Sequence, residues 1–212
     1  MSDDGDDGRL DKVLAFLEEA DRLKSVYRGG HLTDHSRYES AAEHAWHLCV
    51  FAMLLREEST LTPDPLRVLE LCLVHDMVEI YAGDTWAYDR EGHEDKEERE
   101  ERAAEKLFPL LPEDLERRLR GLWDEFEEGR TEEARFAQAM DRLQGFAQIV
   151  FGGGRAWRER GVVEAETRER VEEGIAPDPS LAGAFETLYE GAKREGAWGD
   201  ADGGGDRSDQ NP

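Results

Sequence analysis

Between Leu66 and Asp84 the chain reads LRVLELCLVHDMVEIYAGD. Its first nine residues are the apolar run of a buried helix. The run continues into His75, Asp76 and Glu79, and Asp84 follows just past Gly83. Charged groups without partners are costly to bury. A core helix that carries three of them therefore constrains the fold, because something must bind them. On a helix His75 and Asp76 point about 100° apart, so other elements have to complete any shell around them. Glu79 lies one turn beyond His75, on the same side. A set of carboxylates and imidazole suits Mn, Co, Fe, Zn or Mg better than a structural zinc cage does.

The rest of the chain reads as helix almost throughout. Leu10, Val13, Leu14, Leu17 and Leu23 recur at spacings of three and four. Ser40 opens SAAE, a capping-box pattern with Glu43 three residues on, and starts a helix that carries His44, Trp46 and Met53. Pro65 suits the first turn of the helix that leads to His75 and ends at Gly83. Further helices are expected at DKEEREERAAEKLFPLL, PEDLERRLRGLWDEFEEG and TEEARFAQAMDRLQGFAQIVF, then near 164–174 and 179–194. GGHLTDHSRYE and residues 84–96 read as loops, and Gly152–Gly154 as a helix-ending turn. No β pattern is sustained. The expectation is an all-α, single-domain helical bundle over 9–195. An acidic disordered segment, 1–8, precedes it, and a disordered tail, 196–212, has too little apolar surface to fold.

Composition narrows the function. A net charge of −24 over 212 residues disfavours a nucleic-acid polymer, which needs a basic face, and an anionic membrane surface. No apolar run approaches the roughly 18 residues of a membrane span, and MSDDGDDG does not resemble a secretory signal. Cys49 and Cys72 fit small core residues in a reducing compartment. The expected location is therefore the cytoplasm. Acidic excess, with five lysines among 27 basic residues, fits a protein that works at high salt, where self-repulsion is screened.

Other ligands must come from other helices. His44 lies in AAEHAWHL, with His47 one turn on, and Asp141 lies in QAMDRLQGF among apolar neighbours. Taken singly, His44 and His47 read equally as hydrogen-bonded core histidines, Asp141 as a solvent-facing residue, and Glu79 as a partner for an arginine. The ordered combination of His44, His75-Asp76 and Asp141, with an acid one turn after the pair, is more specific than any member. Metal sites of this kind form between the facing helices of a bundle.

In that order the residues resemble the HD-domain superfamily of metal-dependent phosphohydrolases, and within it the branch of 5′-deoxynucleotidases. The likeness runs from about Leu10 to Ile149. It includes RLKSVYR, YESAAEHAWHL, LVHDMVEIYAGD, LFPLLPEDL and AQAMDRLQ. It implies an all-α fold and one divalent cation held by His44, His75, Asp76 and Asp141. It further implies hydrolysis of a phosphate monoester, a nucleoside 5′-monophosphate, by metal-activated water, and a homodimer. Glu79 and Asp84 match the acidic catalytic positions, with Glu79 assigned to positioning and Asp84 to proton transfer. Arg28 matches the arginine that holds the substrate phosphate. Relatives often carry a tryptophan shortly after that arginine, near the sugar. His31 stands at about that place here and becomes a candidate substrate contact.

Trp86 and Tyr88 read either as a nucleobase wall or as hydrophobic cover beneath a loop. Two alternatives to the nucleotidase stay open: an HD-type enzyme acting on another small phosphoester, and a non-catalytic helical binding module with a structural metal.

Overall fold

The computed structural model describes residues 4–176 and 178–198. The first helix, α1 (Asp4–Ala20), leads through a short 3-10 turn into a hairpin of β1 (Tyr27–His31) and β2 (Tyr38–Ser40). The helices α2 (Ala41–Leu55), α3 (Pro65–Val74), α4 (Glu79–Ala82), α5 (Lys96–Leu107) and α6 (Glu113–Glu128) follow. The chain then forms α7 (Glu132–Phe151), α8 (Arg155–Glu159), α9 (Glu164–Ile175) and α10 (Ala182–Arg194). The all-α expectation holds, with one small two-stranded sheet among the described residues. None of these helices is long and apolar enough to cross a membrane.

Local chemistry sets the helix ends. Ser40 Oγ accepts from the Glu43 amide at 3.3 Å, and the Glu43 carboxylate accepts from the Ser40 amide at 3.0 Å, so the capping box opens α2. Asp64 caps α3 by accepting from the Arg67 amide at 2.8 Å, with Pro65 at the first position. Gly129 ends α6 at a φ of +60°, a conformation that favours glycine. The core is organised around α7, which packs against α2, α3, α6, α9 and α10. Its Phe136, Met140 and Leu143 are fully buried. Each such side chain is worth roughly 1.5–3 kcal/mol of hydrophobic burial. Ala137 and Ala147 on the same helix let neighbours approach closely.

The structure departs from the sequence expectations at four places. The helix expected to run from Pro65 to Gly83 breaks at His75. Between His75 and Ile80 the amides of Met77, Glu79 and Ile80 bond three residues back instead of four. This tighter turn redirects side chains that a regular helix would splay apart. Second, the stretch expected as a loop after Arg28 is the β1–β2 hairpin, with Tyr27 opposite Ser40 and His31 opposite Tyr38. Its glycines give no alternation to read, and they are needed: a Cβ at Gly29 would fall 1.8 Å from the Trp86 ring. Third, α8 follows the glycine turn, where Gly153 and Gly154 take φ of +61° and +72°. Fourth, described structure lies on both sides of 9–195. α1 begins at Asp4, and Trp198 stacks on Trp157 at 5.5 Å. The remainder of the expected flanking segments, 1–3 and 199–212, lies outside the described residues.

Several apolar positions that mark the helices face outward. Leu10, Leu14 and Leu17 on α1, and Trp46, Met53 and Leu54 on α2, are exposed.

Candidate active site and metal centre

Four parts of the chain meet at one cleft. β1 brings Arg28, α2 brings His44, the turn after α3 brings His75 and Asp76, and α7 brings Asp141. One ligand atom each of His44, His75 and Asp141 lies within 4.8 Å of the other two. His44 Nε2 is 3.1 Å from Asp141 Oδ1. Asp76 closes the ring, with Oδ1 3.1 Å from His75 Nε2 and Oδ2 3.6 Å from His44 Nε2. The broken helix makes this possible, since it lets His75 and Asp76 converge although they are adjacent.

Both imidazoles are oriented from behind. His44 Nδ1–H donates to Gln144 Oε1 at 2.6 Å, and His75 Nδ1–H donates to the Cys72 carbonyl at 2.9 Å. Each bond leaves Nε2 with a lone pair aimed into the cleft. Both Nε2 atoms are buried without a hydrogen-bond partner. Orphaned acceptors that converge on two carboxylates are what a cation would satisfy, so the residues present fit a divalent metal. Gln144 is itself fixed, because its Nε2 donates to Glu39 Oε1 and meets His47 Nδ1, both at 3.1 Å. Gln144 was not evident in the sequence. The available signal was its place one turn after Asp141, beside apolar Leu143.

Arg28 is the cleft's deepest cation. It donates to Asp76 Oδ2 at 2.6 Å and lies 3.6 Å from Asp84 Oδ1 and 3.9 Å from Asp141 Oδ1. Burial works against its charge, but Asp76, Asp84, Glu79 and Asp141 outweigh this and raise its pKa. Glu79 is buried, with Oε2 lacking a partner. Burial, then the charges of Asp76 and Asp84, push its carboxyl well above the ordinary range. Asp84 is also pushed up, by burial and, against the pull of Arg28, by Asp76. Two carboxyls with raised pKa beside a cation and a ligand ring are placed to take up and return a proton.

The structure brings most of the residues singled out in the sequence to one cleft. Arg28, His75, Asp76, Glu79, Asp84 and Asp141 all line the cleft, and His44 sits just behind it, fully buried. His31 is not among the lining residues. It is buried against Tyr38, with ring centroids 4.2 Å apart, and its Nε2 is 4.0 Å from Glu159. The β1–β2 register is irregular between Tyr27 and His31, and the His31 ring meets Tyr38 and Glu159 instead of the cleft. The aromatic wall beside Arg28 comes instead from Trp86, which lies over Gly29 and lines the cleft. Arg160 holds it there, with its guanidinium 4.4 Å from the indole and donating to the Gly29 carbonyl at 2.7 Å. Arg142, Arg170 and His93 also line the cleft and were not anticipated as site residues.

Fold and site together define a helical domain in which His44, His75 and Asp141 form a group that could hold a metal ion, with Asp76 beside it. The HD domain family profile matches residues 20–179, and the chain belongs to that family. Among curated proteins it is similar to 5′-deoxynucleotidase HDDC2 of Mus musculus, at 38% identity over 62% of this chain and 65% of that protein. The Homo sapiens protein of the same name is 37% identical over 62% and 64%. The chain thus spans a little under two thirds of the length of these relatives. A solved structure described as a predicted metal-dependent phosphohydrolase, from Magnetospirillum magnetotacticum MS-1, matches with a TM-score of 0.81 at 39% identity. That match covers 91% of this chain and 96% of the other. A conserved hypothetical protein from Pyrococcus furiosus, 20% identical with a TM-score of 0.60, shares the fold over 85% of this chain and 99% of its own.

Proposed function

We propose that the protein is a metal-dependent phosphohydrolase that removes phosphate from nucleoside 5′-monophosphates, ribo or deoxy. The observation that carries this reading is the buried Arg28 guanidinium placed against a ring of orphaned imidazole nitrogens and carboxylates. That arrangement suits a dianionic phosphate shared between a cation and an arginine. The names of the relatives and the match to the HD domain family support it. His44, His75, Asp76 and Asp141 would hold one divalent ion, with Mn, Co, Zn, Fe and Mg all compatible with the donor set. When bound, such an ion polarises a phosphoryl oxygen and lowers the pKa of water.

The remaining chemistry belongs to the side chains. Arg28 forks to the phosphate oxygens and fixes its orientation. Glu79 accepts a hydrogen bond from the attacking water at its unpartnered Oε2. Asp84 takes the proton of that water on a carboxylate oxygen and returns it to the departing 5′-oxygen. Water, minus its proton, bonds to phosphorus as the ester bond breaks, so the products are a nucleoside and inorganic phosphate. Trp86 supplies an aromatic face for sugar or base, and the sugar preference falls to it rather than to His31.

Two further readings accompany this. The unbridged Cys49 and Cys72 support a reducing, cytoplasmic setting. The exposed apolar residues Trp46, Met53 and Leu54 of α2 support a homodimer.

Glu79→Gln tests the assignment. Metal content should stay at the wild-type level, while phosphate release from deoxynucleoside 5′-monophosphates falls by about 10²–10⁴-fold. Loss of the metal in that variant would contradict the role given to Glu79.

A further inference from the structure

The nucleotidase reading gives Arg28 the phosphate to be released and leaves two further arginines and a histidine in the same cleft without a task. Arg142 on α7, Arg170 on α9 and His93 before α5 all line it. Arg170 and His93 also line the cavity that opens outward from its rim. Arg170 is half-buried, and no carboxylate among the described residues stands within ion-pair distance of it. Burial and the neighbouring Arg142 charge lower its pKa, and the field of Arg28 also reaches it. The carboxylate beside Arg142 is Asp141, at 3.6 Å, whose other oxygen faces the histidines. His93 Nε2 is buried without a hydrogen-bond partner. A Cβ at Gly174 would fall 2.3 Å from Arg142 Cγ, so α9 is cut away where that side chain crosses it.

Carboxylates do stand nearby, but they are otherwise engaged. Glu169 and Glu173 line the outer cavity and project to solvent. Glu166 accepts from the Val163 amide at 3.2 Å and lies 3.9 Å from Arg90. In a chain with 51 acidic residues against 27 basic ones, a carboxylate partner for an arginine is easy to supply. Two arginines that line one cleft, with a histidine whose Nε2 has no partner, are instead the lining of an anion site.

We propose that Arg142, Arg170 and His93 form a second phosphate subsite at the mouth of the cleft, so that the favoured substrates are nucleotides carrying a phosphate besides the one released. The inference rests on the nucleotidase reading for the role of the first phosphate. The second phosphate has two possible attachments, the 3′-oxygen of the sugar or the 5′-phosphate itself.

Calorimetry on the full chain in excess Mn²⁺ separates them. Every protein carries Glu79→Gln so that ligand survives the titration. The ligands are deoxyadenosine 5′-monophosphate, 3′,5′-bisphosphate and 5′-diphosphate. One of the doubly phosphorylated ligands should bind about tenfold more tightly than the monophosphate, a gain typical of one added charge-assisted contact. Adding Arg170→Gln should erase that gain, and Arg170→Lys should keep part of it. The ligand that gains reports where the second phosphate sits. Equal affinity for all three ligands, or a gain that survives both Arg170→Gln and Arg142→Gln, overturns the proposal. Circular dichroism confirms that each variant is folded. Failure of the nucleotidase reading shows up separately, as absence of metal-dependent phosphate release by the wild-type chain.

Discussion

Gln144 decides which nitrogen of His44 faces the cleft. Its carbonyl oxygen takes the Nδ1 proton at 2.6 Å, and its amide is pinned in turn by Glu39 and His47. Outer partners of ligating histidines typically govern metal affinity by 10–100-fold. Gln144→Leu should therefore weaken Mn²⁺ binding by about that factor, measured by calorimetry on a folded variant. Unchanged affinity would show that the imidazole is held by packing alone. At this scale the sequence was legible where chemistry is dense. His44, His75, Asp76 and Asp141 stand out because charged groups in apolar helices need a reason. Gln144 does not, since a neutral amide in a helix breaks no rule. The mouth arginines were not singled out, because α7 packing on α9 brings them to one cleft and no local pattern records that. His31 was expected near substrate from its distance to Arg28 in sequence, and the structure seats it against Tyr38.

The start of α2 positions His44 and is held by a reciprocal cap. Ser40→Ala should cost about 1 kcal/mol of unfolding free energy. Glu43 adds a pH dependence. The hydrogen bond from Arg37, at 2.7 Å, and those from Ser40 hold its carboxyl at about 2 against an ordinary 4.5. A depressed pKa means stabilisation that is complete above pH 4.5 and lost as pH falls toward 2. Wild type should therefore be more stable than Glu43→Gln at pH 7, with the difference shrinking across that window. A constant difference, followed by denaturant unfolding between pH 3 and 7, would contradict the cap's ionic part. The capping box, Pro65 and the helix-ending glycines were all readable, because each satisfies backbone groups within a few residues. The break at His75 was not. It is visible only once the buried charges are seen to converge, a tertiary demand that overrides helix propensity. The hairpin escaped for the opposite reason, because Tyr27 to His31 carries too little alternation to be recognised.

The whole molecule combines a net charge of −24 with apolar side chains left outside on α1 and α2. Trp46 and Met53 are seven residues apart, and Leu54 adjoins them, which forms an apolar stripe on an exposed helix face. Such a stripe marks an interaction surface. In sedimentation velocity the wild type should run as a dimer, and Met53→Glu should shift it toward monomer. A wild-type monomer at micromolar concentration would contradict the dimer reading. The bundle and its single core were legible from the three-and-four spacing. Which apolar stripes face inward was not, because α1 and α2 are amphipathic whether their apolar face meets the core or a partner.

The most direct test of the central claim is phosphate release from ribo- and deoxynucleoside 5′-monophosphates by metal-stripped protein with Mn²⁺, Co²⁺, Mg²⁺ or Zn²⁺ restored, beside Asp76→Ala. The account predicts no release from the stripped protein, recovery with at least one ion, and no recovery in Asp76→Ala. A folded wild-type protein that binds the ion yet releases no phosphate from any of these substrates would contradict it.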